Sequence, residues 1–483
     1  MHPPETVALS SSNAFRIGGE PVDQGLLGEV PTRFGAGWAS IVMNRTGISR
    51  PAAGRARSET RFHIGHRAVL SLGAWVMLVA LGHFWGTWLI ESGRMIKVLA
   101  PPLSGRFDLR LSWRLLPGIA LAGATVWLGP RIAGRLRWRA LVAATSVLAA
   151  AWAVALALVD GAEALTAPLT RSSEYLSLVP GIDSVTAFVS TFTERVTDYP
   201  IHVRGHPPGM VVVLLGLSTV GLGGPGWAAA LVIAGGASCA SAALVAVREI
   251  AGLRRARAAA PFLATGPAAI WIATSADALF AGVSAWAIAL FVLATGDRRG
   301  RAALSLASGV LFGLALLLTY GVVVLAPVAG AVSLWRGRWR PLLLGGMGTA
   351  TVLGAAALLG FSWLSGLRAT EALYRAGISS SRPYDYFVVN NLSAFALAVG
   401  PATAVALARL RRSPLAWIIG GGLMAVAVAD LSGLSKGEVE RIWLPFVPWV
   451  AAATGLLRPP GRALLVLQVA TGLSIAAFVR TPW

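Results

Sequence analysis

The chain has 483 residues, of which 55% are hydrophobic and 13% charged, and its mean hydropathy is +0.68. Soluble globular domains carry about 25% charged residues, so this composition excludes an ordinary soluble protein and is typical of a polytopic membrane protein. The net charge of +20 predicts basic loops on one side of a membrane rather than nucleic-acid binding, and the single cysteine, Cys239, excludes an internal disulfide.

The first 65 residues differ from the rest of the chain. They are rich in Ser, Gly, Pro and Arg and contain no long apolar run. Such a segment cannot bury enough apolar surface to fold by itself, and it lacks the apolar core of a signal peptide. We therefore expect a disordered cytoplasmic tail at residues 1–65, followed by a membrane domain at residues 66–483; a start codon placed too far upstream is the alternative explanation.

Apolar runs recur along the membrane domain. A run of roughly 20 residues is long enough to cross a hydrocarbon core of about 30 Å. We predict an all-α polytopic membrane protein with about thirteen transmembrane helices. The predicted spans are residues 66–90, 113–131, 139–159, 226–247, 258–274, 278–295, 302–318, 322–336, 341–362, 389–408, 414–431, 442–457 and 462–480.

Short basic connections join many of these spans, and cytoplasmic loops carry an excess of Lys and Arg. They fall on one side only if the apolar segment 208–222 does not cross the membrane. That segment is short for a crossing and lies between "HPPG" and "GLGGPG", which predicts an interfacial or re-entrant helix. The loop 91–114 opposes the rule, since it carries several arginines on the other side. The basic connections are residues 131–139, 248–260, 296–301, 336–340, 409–413 and 458–462.

Three polar loops share the predicted extracytoplasmic side. They are residues 160–206, 366–388 and 432–443, and a short turn at 274–277 places Asp277 at the same level. Acidic residues tend to avoid the cytoplasmic side, which explains some of these carboxylates without a function. The convergence of Tyr, His and Arg with them at points of membrane entry favours a functional site.

The order of motifs along this side carries a resemblance. Glu174 and Tyr175 lie in "SSEYL" of the first large outer loop, "HPPG" then opens the short apolar segment, and "SADALF" follows two spans later. In this order, over about residues 139–320, the chain resembles the GT-C superfamily of membrane glycosyltransferases, which use polyprenyl-phosphate sugars. It departs from the family pattern in having one glutamate in place of an acidic pair, Gly209 in place of leucine, and two extra spans before the loop.

The resemblance implies an inverting transfer of a sugar from a polyprenyl-phosphate donor to a glycan or lipid acceptor of the cell envelope. The active site would face the periplasmic side of the inner (plasma) membrane, and no metal or other cofactor is implied. The Ala-, Gly- and Arg-rich composition is typical of GC-rich bacteria such as actinobacteria, in which arabinofuranose and mannose are candidate sugars. An outer catalytic loop at residues 160–225 is the expected site.

Such a transfer needs a carboxylate that accepts the proton of the acceptor hydroxyl. Glu174 is the first candidate because it occupies the acidic position next to tyrosine in the family pattern. Asp160, at the outer end of a span, is second and Asp198 is third. Each has a simpler explanation: Glu174 as a surface residue, Asp160 as a solvated helix end, and Asp198 as an ion-pair partner of Arg195 or Arg204.

The leaving phosphate needs cationic or hydrogen-bonding groups. Arg204 and His206 are candidates: an arginine binds phosphate in a bidentate manner, and a histidine does so when protonated or through a neutral N–H. Lys436 and Arg441 of "KGEVERIWLPF" are further candidates, directly before a span. A structural role for the histidine and anchoring of the 436–446 run at the membrane interface are the alternatives.

Other polar and aromatic side chains of the outer loops are candidates to orient sugar hydroxyls or to stack on sugar rings. Tyrosine is also common at membrane interfaces, which is the simpler explanation for these rings. The substrate-binding candidates are Tyr175, Tyr199, His202, Asp277, Tyr320, Tyr384, Tyr386, Glu438 and Glu440.

Three other functions stay open. A secondary transporter predicts inverted repeats and ionisable residues at mid-span, but no internal repeat is evident and Asp430 lies near the outer end of a span. A lipid-linked oligosaccharide polymerase or ligase would use a similar loop and differs in taking a diphosphate-linked donor. A non-enzymatic assembly partner would keep its activity after loss of the three candidate carboxylates.

Overall fold

A computed structural model describes residues 66–273, 275–411, 413–459 and 461–482, and the predicted tail, residues 1–65, lies outside these ranges. The described chain is almost entirely helical, which confirms the all-α class. Within these ranges the sheet content is one antiparallel pair of two-residue strands, β1 (Arg106–Phe107) and β2 (Val479–Arg480).

Most helices follow one another with short connections. Two connections are long: residues 92–115 between α1 and α2, which contain β1, and the segment between α3 and α6, where 3-10 turns accompany two short helices. In chain order they are α1 (His66–Glu91), α2 (Leu116–Arg135), α3 (Trp138–Ala157), α4 (Val185–Ser190), α5 (Ile201–Arg204), α6 (Gly209–Thr219), α7 (Pro225–Ala251), α8 (Leu253–Ala264), α9 (Asp277–Ala294), α10 (Arg301–Leu318), α11 (Ala326–Arg336), α12 (Arg340–Leu358), α13 (Trp363–Ala376), α14 (Tyr384–Val399), α15 (Pro401–Leu407), α16 (Leu415–Leu431), α17 (Val439–Ile442), α18 (Val447–Ala451) and α19 (Arg462–Phe478).

Seven helices of the described chain are long and apolar enough to span a membrane, namely α1, α2, α3, α7, α9, α10 and α12. Helices α14 and α15 form an eighth candidate that is bent by 99°. This confirms a polytopic membrane protein, whereas the prediction of about thirteen spans is not confirmed. The other predicted spans coincide with shorter helices, with broken helices or with 3-10 turns.

Proline and glycine cause these breaks. Gly400 has a φ of +79° and the next residue, Pro401, begins α15, so the chain changes direction there. Pro445 and Pro448 similarly divide the predicted span 442–457 into short helical pieces. Proline lacks the N–H that continues a helix and glycine adopts a left-handed backbone without strain. Average hydropathy does not detect either effect, so the sequence predicts continuous spans where the structure has broken helices.

Close helix contacts depend on small residues. Helices α7 and α9 cross where a Cβ atom at Gly282 would overlap the carbonyl oxygen of Gly235. Helices α10 and α12 approach in the same way at Gly309 and Gly345. Association of membrane helices relies on such close backbone packing, because lipid supplies no hydrophobic driving force between helices. The glycine-rich composition thus builds the scaffold that holds α9.

The basic connections meet at the C-terminal end of α9. Glu249 accepts ion pairs from Arg298 at 2.5 Å and from Arg336 at 3.6 Å, and Arg338 pairs with Asp297 at 2.5 Å. Three of the predicted basic connections, between α7 and α8, α9 and α10, and α11 and α12, therefore lie together. The 18 residues of α9 extend over about 27 Å, so its N-terminal end is far from this arginine-rich end.

Helix α6 begins directly after Pro207 and Pro208 and contains 11 residues. Its length is about 16 Å, well below the roughly 30 Å of a hydrocarbon core. This agrees with the prediction that the segment after the double proline is too short to cross. A Cβ atom at Gly209 would overlap the carbonyl oxygen of Leu317 in α10. Glycine therefore replaces the expected leucine because α6 starts against the backbone of α10.

The substitution Gly209→Ala is expected to lower the thermal unfolding midpoint of the detergent-solubilised protein. The added methyl group forces α6 away from α10, and such overpacking costs about 1–3 kcal/mol. Gly216→Ala in the same helix is the matched control, since no atom lies within 4 Å of a Cβ at that position. The control midpoint should be unchanged or slightly raised, and an equal loss in both variants would contradict the close contact.

Candidate functional site

A polar cluster lies at the N-terminal end of α9, opposite the arginine-rich end. Its members come from the long connection between α3 and α6, from the start of α9 and from the segment at α17, and ion pairs and a ring contact join them to one another. We call this set the polar cluster: Glu174, Tyr175, His202, His206, Asp277, Glu438 and Arg441.

The centre of the polar cluster is a buried guanidinium between two carboxylates. Arg441 Nη1 lies 2.5 Å from Asp277 Oδ2, and Arg441 Nη2 lies 3.0 Å from Glu438 Oε2. The hydroxyl of Ser275 donates to Asp277 Oδ2 at 2.7 Å. Burial by itself would lower the pKa of Arg441, but the facing Asp277 and Glu438 carboxylates raise it above its ordinary value. Arg441 is therefore a permanent cation with a fixed orientation.

Glu174 is held by a histidine. His202 Nδ1 lies 2.5 Å from Glu174 Oε1, and both side chains are mostly buried. The peptide N–H of His202 donates to the carbonyl of Ser173 at 3.2 Å, which docks α5 onto the turn that carries Glu174. In the described part of the chain, Glu174 Oε2 makes no hydrogen bond. One carboxylate oxygen is thus oriented while the other can accept a proton.

His206 connects the two halves of the polar cluster. Its Nδ1 lies 2.8 Å from the carbonyl oxygen of His202, so this nitrogen carries the proton, and its Nε2 lies 4.0 Å from Asp277 Oδ1. Burial lowers the pKa of His206, although Asp277 opposes the shift. The neutral ring then has its only N–H occupied. To bind phosphate, His206 would need either a protonated ring or an N–H that is not already hydrogen-bonded. The neutral ring has neither.

Tyr175 forms an aromatic wall beside this histidine. Its ring meets the ring of His206 edge-on at 5.8 Å and that of Phe280 in α9 at 6.3 Å. Burial, together with the nearby carboxylates of Asp277 and Glu174, raises the pKa of Tyr175 well above its ordinary value. The hydroxyl therefore stays protonated and can donate a hydrogen bond. The acidic–Tyr and His-Pro-Pro motifs are in direct contact here.

The charge balance of the polar cluster is negative. It contains three carboxylates and one guanidinium, and His206 is neutral. A phosphate at its centre would be repelled, so an anion must bind at its edge. The half-buried side chain of Arg204 makes no hydrogen bond or ion pair within the described residues, while its carbonyl accepts from Thr370 in α13 at 3.1 Å. Arg204 is the predicted phosphate ligand that is still available.

Lys436 is hydrogen-bonded to the backbone of the loop between α13 and α14. Its Nζ donates to the carbonyls of Ser379 at 3.0 Å and Arg382 at 3.1 Å, and its peptide N–H donates to the hydroxyl of Tyr374 at 2.9 Å. These contacts fasten the 3-10 turn Ile378–Ser381 to the segment before α17. The ammonium group is thus occupied by backbone carbonyls, and Lys436 does not join the polar cluster.

Two candidate carboxylates lie apart from the polar cluster. Asp160 forms an ion pair with Arg110, whose guanidinium also donates to the carbonyl of Val479. Asp198 lies 3.4 Å from Arg195, and both side chains are exposed. The simpler explanation for Asp198, an ion pair with Arg195, is therefore confirmed. Asp160 is exposed at the end of a 3-10 turn, which agrees with the simpler explanation of a solvated helix end, and it has Arg110 as a partner.

Two of the candidate tyrosines pack against aromatic neighbours. The ring of Tyr199 stacks on Phe192 at 5.1 Å, and burial raises the pKa of its hydroxyl. The ring of Tyr320 meets Trp363 edge-on at 5.5 Å and is buried. Both rings are therefore buried in the hydrophobic core.

Of the other two candidate tyrosines in the outer loops, Tyr386 is buried and Tyr384 is exposed. Tyr386 is fully buried, and its hydroxyl donates to Asn390 Oδ1 at 2.6 Å, so it offers no face to a sugar. Tyr384 is 44% exposed, and its hydroxyl donates to the carbonyl of Leu431 at 3.0 Å. Only the second ring is open enough to stack on a ligand.

Sequence reasoning missed Ser104, which lies in the loop between α1 and α2. Its hydroxyl accepts the peptide N–H of Glu438 at 2.9 Å, and its own N–H donates to Glu440 Oε1 at 2.8 Å. Glu438 has a φ of +62°, a costly left-handed conformation for this residue. Burial raises the pKa of Glu440 to about 7. Ser104 thus fixes the backbone that presents Arg441, and no local sequence pattern marks it.

No protein-family model, curated protein or solved structure matches the chain. A function must therefore be argued from the geometry of the polar cluster.

Proposed function

We propose that the protein is a GT-C-type membrane glycosyltransferase that moves a sugar from a polyprenyl-phosphate donor to a glycan or lipid acceptor of the cell envelope. One observation carries the proposal: the acidic–Tyr, His-Pro-Pro and Ser-Ala-Asp motifs, far apart in sequence, converge in one polar cluster with Arg441. Ionisable groups buried in a membrane protein are energetically costly and usually have a function.

Glu174 is the general base of this proposal. Its free oxygen accepts the proton of the acceptor hydroxyl while that oxygen attacks the anomeric carbon. The bond between the anomeric carbon and the phosphate oxygen breaks, and polyprenyl phosphate leaves with the electron pair. A single displacement inverts the anomeric centre and needs one base, since no covalent enzyme intermediate forms. His202 orients the carboxylate, and the Asp277–Arg441 pair orients sugar hydroxyls.

The donor phosphate binds at the edge of the polar cluster, at Arg204. This position keeps the phosphate away from the three carboxylates and close to α6, which begins five residues later at Gly209. Because α6 is too short to cross the membrane, it can lie at headgroup depth while the prenyl chain stays in the bilayer. The released phosphate gains charge in the transition state, which an arginine stabilises.

The proposal places the protein in the inner (plasma) membrane with the polar cluster facing the periplasm. The meeting of the basic connections at the other end of α9 supports this orientation, since cytoplasmic loops are enriched in arginine. The bent pair α14–α15 and the shorter helical segments other than α6 would complete a count of about thirteen crossings. The partners are the bilayer, the lipid-linked donor and the envelope acceptor, with no nucleic acid and no cofactor.

The experiment is sugar transfer by the full chain in liposomes that contain membrane extract from a strain lacking the gene. Polyprenyl-phosphate mannose and polyprenyl-phosphate arabinofuranose, each with a labelled sugar, are the donors. Label is expected to move from one of these donors to an acceptor fraction. Transfer only from a diphosphate-linked oligosaccharide would identify a polymerase or ligase, and no transfer by the folded protein from any donor would overturn the proposal.

A further inference from the structure

A cavity of about 360 Å³ opens at the arginine-rich end, remote from the polar cluster. It lies between the C-terminal half of α2, the first turns of α8 and the segment that precedes α19. Its walls combine three guanidinium groups with an apolar floor. The residues that define this arginine pocket are Arg254, Arg257, Arg458, Pro261, Phe262 and Leu457.

The positive charge of the arginine pocket is not neutralised by the described chain. At the neighbouring end of α7, Glu249 pairs with two arginines, but no carboxylate of the described ranges lies within 4.0 Å of Arg254, Arg257 or Arg458. Burial and the adjacent Arg458 and Arg255 lower the pKa of Arg409. Like charges this crowded are unfavourable without an anion.

Two features of the arginine pocket favour the binding of an anion. Arg257 donates from Nη2 to the carbonyl of Leu136 at 3.0 Å, which fixes its guanidinium, while its buried Nε has no hydrogen-bond partner within the described residues. Leu253 and Arg254 are the first residues of the 12-residue helix α8 and line the cavity. The unpaired N–H groups and the dipole of a helix N-terminus favour a negative charge there.

We propose that the arginine pocket binds a phosphate group, carried by the headgroup of an anionic phospholipid or free in solution. Its volume is that of about twelve liquid waters at about 30 Å³ each, enough for a phosphate with a glycerol moiety. The apolar floor can contact the first carbons of a lipid, and basic pockets between membrane helices suit such headgroups. This site is independent of the proposed sugar transfer.

The test compares two double variants of the full chain in detergent. Arg254→Gln with Arg458→Gln removes two exposed guanidinium groups of the arginine pocket. Arg299→Gln with Arg340→Gln removes two exposed guanidinium groups elsewhere on the same end. Phosphatidylglycerol is titrated in one arm and followed by native mass spectrometry, and inorganic phosphate is titrated in the other and followed by calorimetry.

The pocket variant is expected to bind one of these probes about tenfold more weakly than the wild type, with less than about a twofold change in the control. Loss in the phosphatidylglycerol arm identifies a lipid ligand, and loss in the inorganic phosphate arm identifies a soluble one. Equal binding by wild type and pocket variant in both arms, or equal weakening in both variants, would overturn the proposal.

Discussion

Glu174→Gln is expected to lower sugar transfer by about 10²–10⁴-fold, the usual contribution of a general base. The amide keeps the shape of the carboxylate but cannot accept the hydroxyl proton. Because the side chain is paired with His202 rather than with a buried cation, the substitution should leave the protein folded. Initial rates of transfer at saturating donor, together with the thermal unfolding midpoint, separate the loss of chemistry from a loss of structure.

Glu163→Gln is the matched control for Glu174. Glu163 lies in the same long connection, is exposed, and has no ion-pair partner within the described residues. It should transfer at the wild-type rate. A Glu174→Gln variant as fast as this control would assign the proton to another group, and Asp160 and Asp198 would then be tested as the next carboxylates.

Arg441→Met is expected to destabilise the protein by about 3–5 kcal/mol, because it leaves Asp277 as a buried charge without its cation. The measurement is the thermal unfolding midpoint in detergent. The double variant Arg441→Met with Asp277→Asn removes both charges, so most of the lost stability should return. This recovery distinguishes charge burial from a loss of packing.

The control for this pair is Arg375→Met. Arg375 pairs with Glu371 at 2.8 Å on the surface of α13, and both side chains are exposed. Exposed pairs contribute about 0–1 kcal/mol, so this variant should unfold near the wild-type midpoint. A similar small effect for Arg441→Met would mean that Asp277 is solvated in the folded protein, contrary to the buried pair described above.

The sequence predicted the long helices well. The spans expected at 139–159, 226–247, 278–295 and 302–318 correspond to α3, α7, α9 and α10 within a few residues. Each is an uninterrupted apolar run that ends at charged or turn-forming residues. The predicted spans that contain internal Gly-Pro or repeated proline were interpreted as continuous, because hydropathy averages across a break in the backbone.

The sequence did not predict which of the site residues contact one another. Motif order placed Glu174, His206 and Asp277 on one side of the membrane, and the structure brings them into one cluster. The partner of Asp277, Arg441, is 164 positions away, and no local pattern connects the two. Lys436 stands next to this segment in the sequence, yet its ammonium binds backbone carbonyls of another loop. Which partner each of these side chains binds depends on tertiary packing, which neither composition nor local sequence patterns reveal.

A density map of the full chain in a lipid nanodisc with a bound polyprenyl-phosphate sugar tests most directly whether the polar cluster transfers sugar. The donor phosphate should lie against Arg204, the anomeric carbon should face Glu174, and α6 should rest at the membrane surface beside the prenyl chain. A donor bound away from the polar cluster, or α6 passing through the hydrocarbon core with Glu174 sealed from the lipid, would contradict it.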